Sequence, residues 1–285
     1  MRAGLVAVTG AVALMAVVGC GAGERADVVV EGTPPATPYD GPLDIATKTL
    51  DESTPQALLT ESGAAGRALE CDGEIYTGGG PDGWSRRDGG DTPEDGLRLF
   101  FDMFEPEVPR SGYRVERTAD DRVLYSYDIG GRTKVAVVVA QDQEERPGWG
   151  PETHASCDPA ELPASFTDSV GHEIWTDRAG KRVPTTSLSS YAGAEHCGWE
   201  KTHFLGTGRG EDHRQYVRDP DGVLESGLLT APYDGDVRMP DDAHDTGYRY
   251  RDWRLWLAED RTTAYVRTSD GVEAWPLAKE MVACK

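Results

Sequence analysis

The sequence predicts an α+β protein of two small disulfide-stapled units, built from antiparallel sheets with few helices, the second unit being β-rich. Three observations carry this. One amphipathic helix is written plainly between Asp91 and Phe104. Short β-patterned runs, separated by residues that tolerate turn geometry, fill much of the remainder. Four cysteines stand as Cys71, Cys157, Cys197 and Cys284, close to the ends of two successive stretches.

The first unit is expected over 43–163. Thr92 can cap the helix, Pro93 suits its first turn, and Glu94 and Asp95 oppose the positive end of the helix dipole. Leu97, Phe100, Phe101 and Phe104 recur at helical spacing, and Pro106 and Pro109 stop the run. Three strands are predicted next, Tyr113–Thr118, Arg122–Ile129 and Thr133–Ala140, divided by Asp120-Asp121 and Gly130-Gly131. The run Val135 to Val139 has no polar face, so it reads as a strand covered on both sides. Gly148-Trp149 then leads through Glu152–Ser156 to Cys157.

Pro159 and Pro163 mark a boundary, and the second unit is expected over 164–285. Its predicted strands are His172–Thr176, Thr202–Leu205, Gln215–Arg218, Arg254–Ala258, Thr263–Thr268 and Gly271–Trp275. The intervening 177–180, 219–222, 259–260 and 269–271 carry turn chemistry. Residues 184–198 and 226–247 read as irregular. No fixed repeat period is present, which argues against a solenoid or propeller.

The N-terminus is of another kind. Met1-Arg2 is followed by an apolar run from Gly4 to Val18 and then Gly19-Cys20. That run of about 15 residues is shorter than the roughly 20 a membrane-spanning helix needs. A charged start, an apolar middle and small residues before a cut site make a secretory signal. The cysteine directly after that site resembles the lipobox of bacterial lipoproteins. The resemblance implies cleavage of residues 1–19 and a diacylglyceryl group on the Cys20 sulfur, with further acylation such as palmitate. Paired acyl chains anchor stably where one chain does not. Residues 20–42, with Gly21, Gly23, Pro34, Pro35 and Pro38, read as a disordered Gly/Pro-rich tether. Val28-Val29-Val30 is an apolar exception within it.

An exported chain makes an even set of cysteines read as disulfides. Pairing Cys71 with Cys157 and Cys197 with Cys284 keeps each bridge inside one predicted unit. The spacings are far from the close pairs that zinc sites use. Fifty acidic residues against 29 basic ones give a net charge of −21, and removal of Arg2 with the signal makes it −22. That balance disfavours nucleic acid and anionic headgroups as partners. No Asn occurs, so no Asn-linked glycosylation site is present.

Catalytic signatures do not emerge. His172-Glu173 lacks the second histidine of a zinc-peptidase helix and sits in strand-like context. Neither a Gly-x-Ser-x-Gly elbow nor a Ser-x-x-Lys motif occurs. Gly206 to Gly210 lacks the Lys-Ser/Thr ending of a phosphate loop. The segment from Asp219 to Glu225 is too short for an EF-hand loop of about 12 residues and reads as a turn. Asp234, Asp236, Asp241, Asp242, His244 and Asp245 form a second acidic stretch whose simplest reading is solvated surface. His203 and His213 flank a Gly-rich turn and meet at one metal only if the fold brings them together. Trp175, Trp199, Trp253, Trp256, Trp275, Tyr248 and Tyr250 concentrate in the second unit. They read as core and cross-strand pairs, with an exposed glycan-stacking face as the rival. No cofactor, metal site or catalytic residue is therefore assigned.

The lipobox, the Pro-rich tether and two cysteine-bounded units together resemble an actinobacterial-type envelope lipoprotein. The phrases Cys197-Gly198-Trp199, Gln215 to Gly222 and Tyr265 to Trp275 share in the resemblance. It brings no active site with it. It implies a protein on the extracellular face of the cell membrane, held by its N-terminal lipid; that anchor and the lack of catalytic signatures lead to the expectation of a non-enzymatic role, binding or scaffolding an envelope protein or cell-wall glycan. The alternative is a cell-wall or extracellular hydrolase using carboxylates or the acidic loop. A solute-binding role is disfavoured because the chain lacks alternating β and α elements.

Overall fold

A computed structural model describes residues 27–51, 54–77, 84–103, 108–225 and 227–284. The signal segment, Cys20, and the helix end expected at Phe104 and Pro106 lie outside them. Antiparallel sheets dominate, with four α-helices among the described residues.

Two short helices come first, α1 (Pro55–Glu61) and α2 (Gly63–Ala68). Thr54 caps α1 by accepting the Ala57 N–H at 3.2 Å. Strand β1 (Ile75–Tyr76) follows, then α3 (Pro93–Met103). At the start of α3 the Thr92 hydroxyl accepts the Asp95 N–H, and the Asp95 carboxylate accepts the Thr92 N–H. This reciprocal pair is a capping box with Asp in the third position. Four strands complete the sheet: β2 (Arg114–Ala119), β3 (Arg122–Ile129), β4 (Arg132–Gln143) and β5 (Arg146–Cys157). Their order is β1-β5-β4-β3-β2. Gly130 and Gly131 adopt φ of 60° and 76°, as a two-residue hairpin turn between β3 and β4 requires.

Strand β4 is buried on both faces because helices lie on both. Val135, Val137 and Val139 pack with Leu97, Phe100 and Phe101 of α3. Ala136 and Val138 meet Ala64, Ala65 and Ala68 of α2 on the opposite face, where small side chains let the helix come close. Each fully buried valine contributes on the order of 1.5–3 kcal/mol. The apolar run Val28 to Val30 finds its place here. Val29 pairs in parallel with Tyr113, and the Val30 N–H donates to the Tyr113 carbonyl at 2.7 Å. The Tyr39 N–H donates to Glu116 at 2.7 Å. Residues 27–42 are thus held along the β2 edge of the sheet rather than free.

The second half of the chain begins with α4 (Ala164–Ser169). It continues as β6 (Leu188–Ala192), β7 (His203–Thr207) and β8 (Arg214–Arg218), hydrogen-bonded in that order. A second sheet holds β9 (His244–Tyr250), β10 (Trp253–Leu257), β11 (Thr263–Arg267) and β12 (Val272–Pro276). Leu188, Leu205 and Tyr216 of one sheet meet Leu255, Val266 and Trp275 of the other, with Trp175 among them. The sheets close on each other at both edges. Tyr216 bridges to Leu277 past the end of β12. His172 bridges to Tyr191 on β6, and Thr176 to Arg249 on β9. The strand expected at His172–Thr176 is instead this clamp between two sheets, and it covers edges that would otherwise be open to pairing. Two further corrections concern stretches expected to be irregular: 184–198 contains β6, and 226–247 contains the start of β9.

The disulfides are Cys71–Cys157 and Cys197–Cys284, with Cα separations of 5.3 and 6.4 Å. Between the two halves, Asp158 is fully buried and accepts the Thr185 N–H at 3.0 Å, the Thr185 hydroxyl at 3.1 Å and the Tyr76 hydroxyl at 3.3 Å. Arg182 donates to the Leu162 carbonyl and to Thr167.

Candidate functional site

The closing clamp carries Glu173 into the interior between β6 and β7, where it is 6% exposed. Its backbone N–H donates to the Ser190 carbonyl at 2.9 Å, which fixes the carboxylate against both strands. One carboxylate oxygen lies 2.7 Å from His203 Nδ1, and the other accepts the Ser190 hydroxyl. The ring meets the carboxylate through Nδ1, which leaves Nε2 on the far side of the imidazole from Glu173. The imidazole sits edge-on to Trp253 at 5.0 Å and parallel to Trp275 at 6.3 Å.

A second buried carboxylate, Glu273 on β12, stands beside Trp275. It takes Arg218 Nε at 2.8 Å and Nη2 at 3.0 Å, a bidentate pair, and the Trp275 indole N–H at 2.8 Å. Burial pushes its pKa up, but the bonds from Arg218 and Trp275 outweigh burial and hold it below the usual carboxylate range. Glu273 in turn raises Arg218. Tyr233 lies under the Arg218 guanidinium at 5.7 Å, and burial pushes its phenol up to about 12.

Chemically, Glu173 and His203 are a buried acid–imidazole pair, an arrangement that a hydrolytic relay also uses. The serine beside them hydrogen-bonds the carboxylate rather than the imidazole, so the pair does not activate Ser190 as a nucleophile. Glu273 spends its oxygens on cation and indole, and its lowered pKa is opposite to what a general acid needs.

An open recess lies elsewhere in this half, a cleft of about 620 Å³. Pro220, Leu224, Leu229 and Tyr233 give it an apolar wall, and Asp221, Thr230 and Lys279 a polar one. The Asp219 turn shapes one side, its carboxylate accepting the Val223 and Leu224 N–H groups at 2.9 and 3.0 Å. The turn reading of that segment therefore has its physical cause in Asp219. Lys279 is held to the opposite rim by donation to the Gly227 carbonyl at 2.9 Å.

Other sequence candidates fall as follows. Asp234 accepts the Asp236 N–H, and Asp245 accepts the Gly247 N–H and pairs with Arg178 at 3.0 Å. His203 pairs with Glu173, while His213 lies against Gly206. Trp175 and Trp275 are fully buried, Trp253 packs on both, and the Arg267 guanidinium covers Trp256 at 5.0 Å. Sequence reasoning missed Glu173 because it was weighed only as part of a metal-peptidase motif. An acid directly before Ile174 and Trp175, in a β-patterned stretch, was the signal available.

No protein-family model matches the chain, and neither the curated proteins nor the solved structures contain a significant match to it.

Proposed function

We propose that this protein is an exported lipoprotein, anchored on the extracellular face of the cell membrane through Cys20, whose α+β body of two disulfide-stapled units binds a component of the envelope. The single observation behind the binding reading is the cleft between the Asp219 turn and residues 229–233. At about 620 Å³ it falls in the range of ligand-binding recesses, and it joins an apolar wall to a few fixed polar groups. Its occupant is a segment of an envelope protein or of a cell-wall glycan. No helix among the described residues is long and apolar enough to cross a membrane. The anchor therefore rests on the N-terminal signal and the lipid it directs.

A photo-crosslinking residue placed at Thr230 in living cells tests the reading. Adducts from Thr230 that do not form from the exposed Arg254 of β10 support the cleft as the binding face. Identical patterns from both positions remove it.

A hydrolase is the second reading, and the Glu173–His203 pair favours it. It requires cell-wall-degrading activity that His203→Gln abolishes while leaving the fold intact.

A further inference from the structure

The two disulfides occupy different environments. In Cys71–Cys157, Cys157 is fully buried at the end of β5. Both sulfur-bearing residues of Cys197–Cys284 are partly exposed, and His196, the residue before Cys197, lies on the surface. The His196 Nε2 atom stands 3.0 Å from the Cys284 sulfur. A disulfide sulfur has no proton, so the imidazole is the donor.

We infer that Cys197–Cys284 is a thiol-exchange site, opened and re-formed by a low-molecular-weight or protein thiol, with Cys284 as the leaving sulfur and His196 as its proton donor. An incoming thiolate attacks the Cys197 sulfur. The new S–S bond forms there, the Cys197–Cys284 bond breaks, and its electron pair goes to Cys284. The departing thiolate accepts a hydrogen bond from His196 Nε2–H and is protonated by the imidazolium, which carries the proton that the incoming thiol releases on forming its thiolate. A second thiolate attacks the outer sulfur of the adduct and frees Cys197, so two external thiols become one disulfide and the protein gains two thiols. A leaving thiolate stabilised by a neighbouring imidazole departs faster.

The segment that leads to Cys284 does not depend on the bridge alone. The Val282 N–H donates to the Gln215 side chain at 2.8 Å, and the Ala278 N–H to the Gln215 carbonyl at 2.7 Å. Ala278 and Val282 pack on Phe204, Val217 and Leu224. Opening therefore leaves the two thiols adjacent and able to re-close.

Glutathione is the probe. The mature, membrane-extracted protein in detergent is treated with it, quenched with N-ethylmaleimide over time and mapped by peptide mass. The expected result is opening of Cys197–Cys284 about ten-fold or more faster than Cys71–Cys157, with the first glutathione adduct on Cys197. His196→Ala slows the Cys197–Cys284 reaction about ten-fold and leaves Cys71–Cys157 unchanged. Loss of both bridges at one rate overturns the inference, because reduction would then proceed through unfolding. An adduct first on Cys284, or no effect of either His196→Ala or His196→Gln, overturns it as well.

Discussion

His154 gives the sharpest test of the packing. It lies on β5 opposite Val137 of β4, with its ring 4.8 Å from Phe100 of α3. Burial pushes its pKa from 6.5 down to about 4. The sign follows from proton uptake. Between pH 6.5 and 4 the unfolded chain takes a proton that the native state refuses, so stability is full above pH 6.5 and is lost as pH falls toward 4. The whole shift corresponds to about 3 kcal/mol. At pH 4.5, with the residue partly open to solvent, about 2 kcal/mol of that is lost. The perturbation is His154→Leu, which keeps an apolar contact with Phe100 and cannot titrate. Guanidinium unfolding at pH 7.5 and pH 4.5, for both proteins, reads the difference between the two pH values. Comparing differences cancels the other titrating groups and any bond the substitution removes at both pH values. The variant should lose about 2 kcal/mol less than the native chain on acidification. Equal losses would refute a neutral, buried His154 and the α3–β5 packing that makes it so.

Three further outcomes follow from particular contacts. Replacing Cys71 and Cys157 together by Ala releases a sequence separation of 86 residues, which the chain-entropy model values at about 4–5 kcal/mol, read by denaturant midpoint under non-reducing conditions. Asp158→Ala strands the Thr185 and Ala160 N–H groups in the interior and should cost about 2–4 kcal/mol, with Asp158→Asn recovering part of it; a change under 0.5 kcal/mol contradicts the contact. Glu273→Gln removes the charge facing Arg218 and should cost about 2 kcal/mol or more at pH 7. Because the Glu273 pKa is lowered on folding, the native stability from this group is present above the unfolded carboxylate pKa and fades as pH falls through the folded one. The gap between variant and native chain should therefore narrow in acid, and a pH-independent gap would contradict it.

Much of the architecture could be read from local pattern. Thr92, Asp95, Leu97, Phe100 and Phe101 give α3 its cap and its buried face, and the valines of β4 announce a strand covered twice. What escaped was set by distant partners. The helices α1 and α2 are short, and α2 holds Gly63 and Gly66; packing of α2 on β4 and β5, and of α1 on α2, not propensity, makes them helical. Strand β6 hides its pattern because its inward Ser190 serves Glu173 instead of an apolar core. Strand β9 opens on His244, Asp245 and Gly247, which carry no strand signal. The Glu173–His203 pair joins residues 30 positions apart, and the Glu273–Arg218 pair 55. No spacing rule reaches across such distances, so the buried charges became visible only in the fold.

The central claim is an exported body held by lipid on Cys20. Intact, non-reducing mass spectrometry of the protein extracted from its own membrane tests it most directly. The expected mass is that of a chain that begins at Cys20, carries a diacylglyceryl group, and lacks the hydrogens given up to Cys71–Cys157 and Cys197–Cys284. A full-length chain still bearing Met1, or a mature chain without lipid, would contradict it.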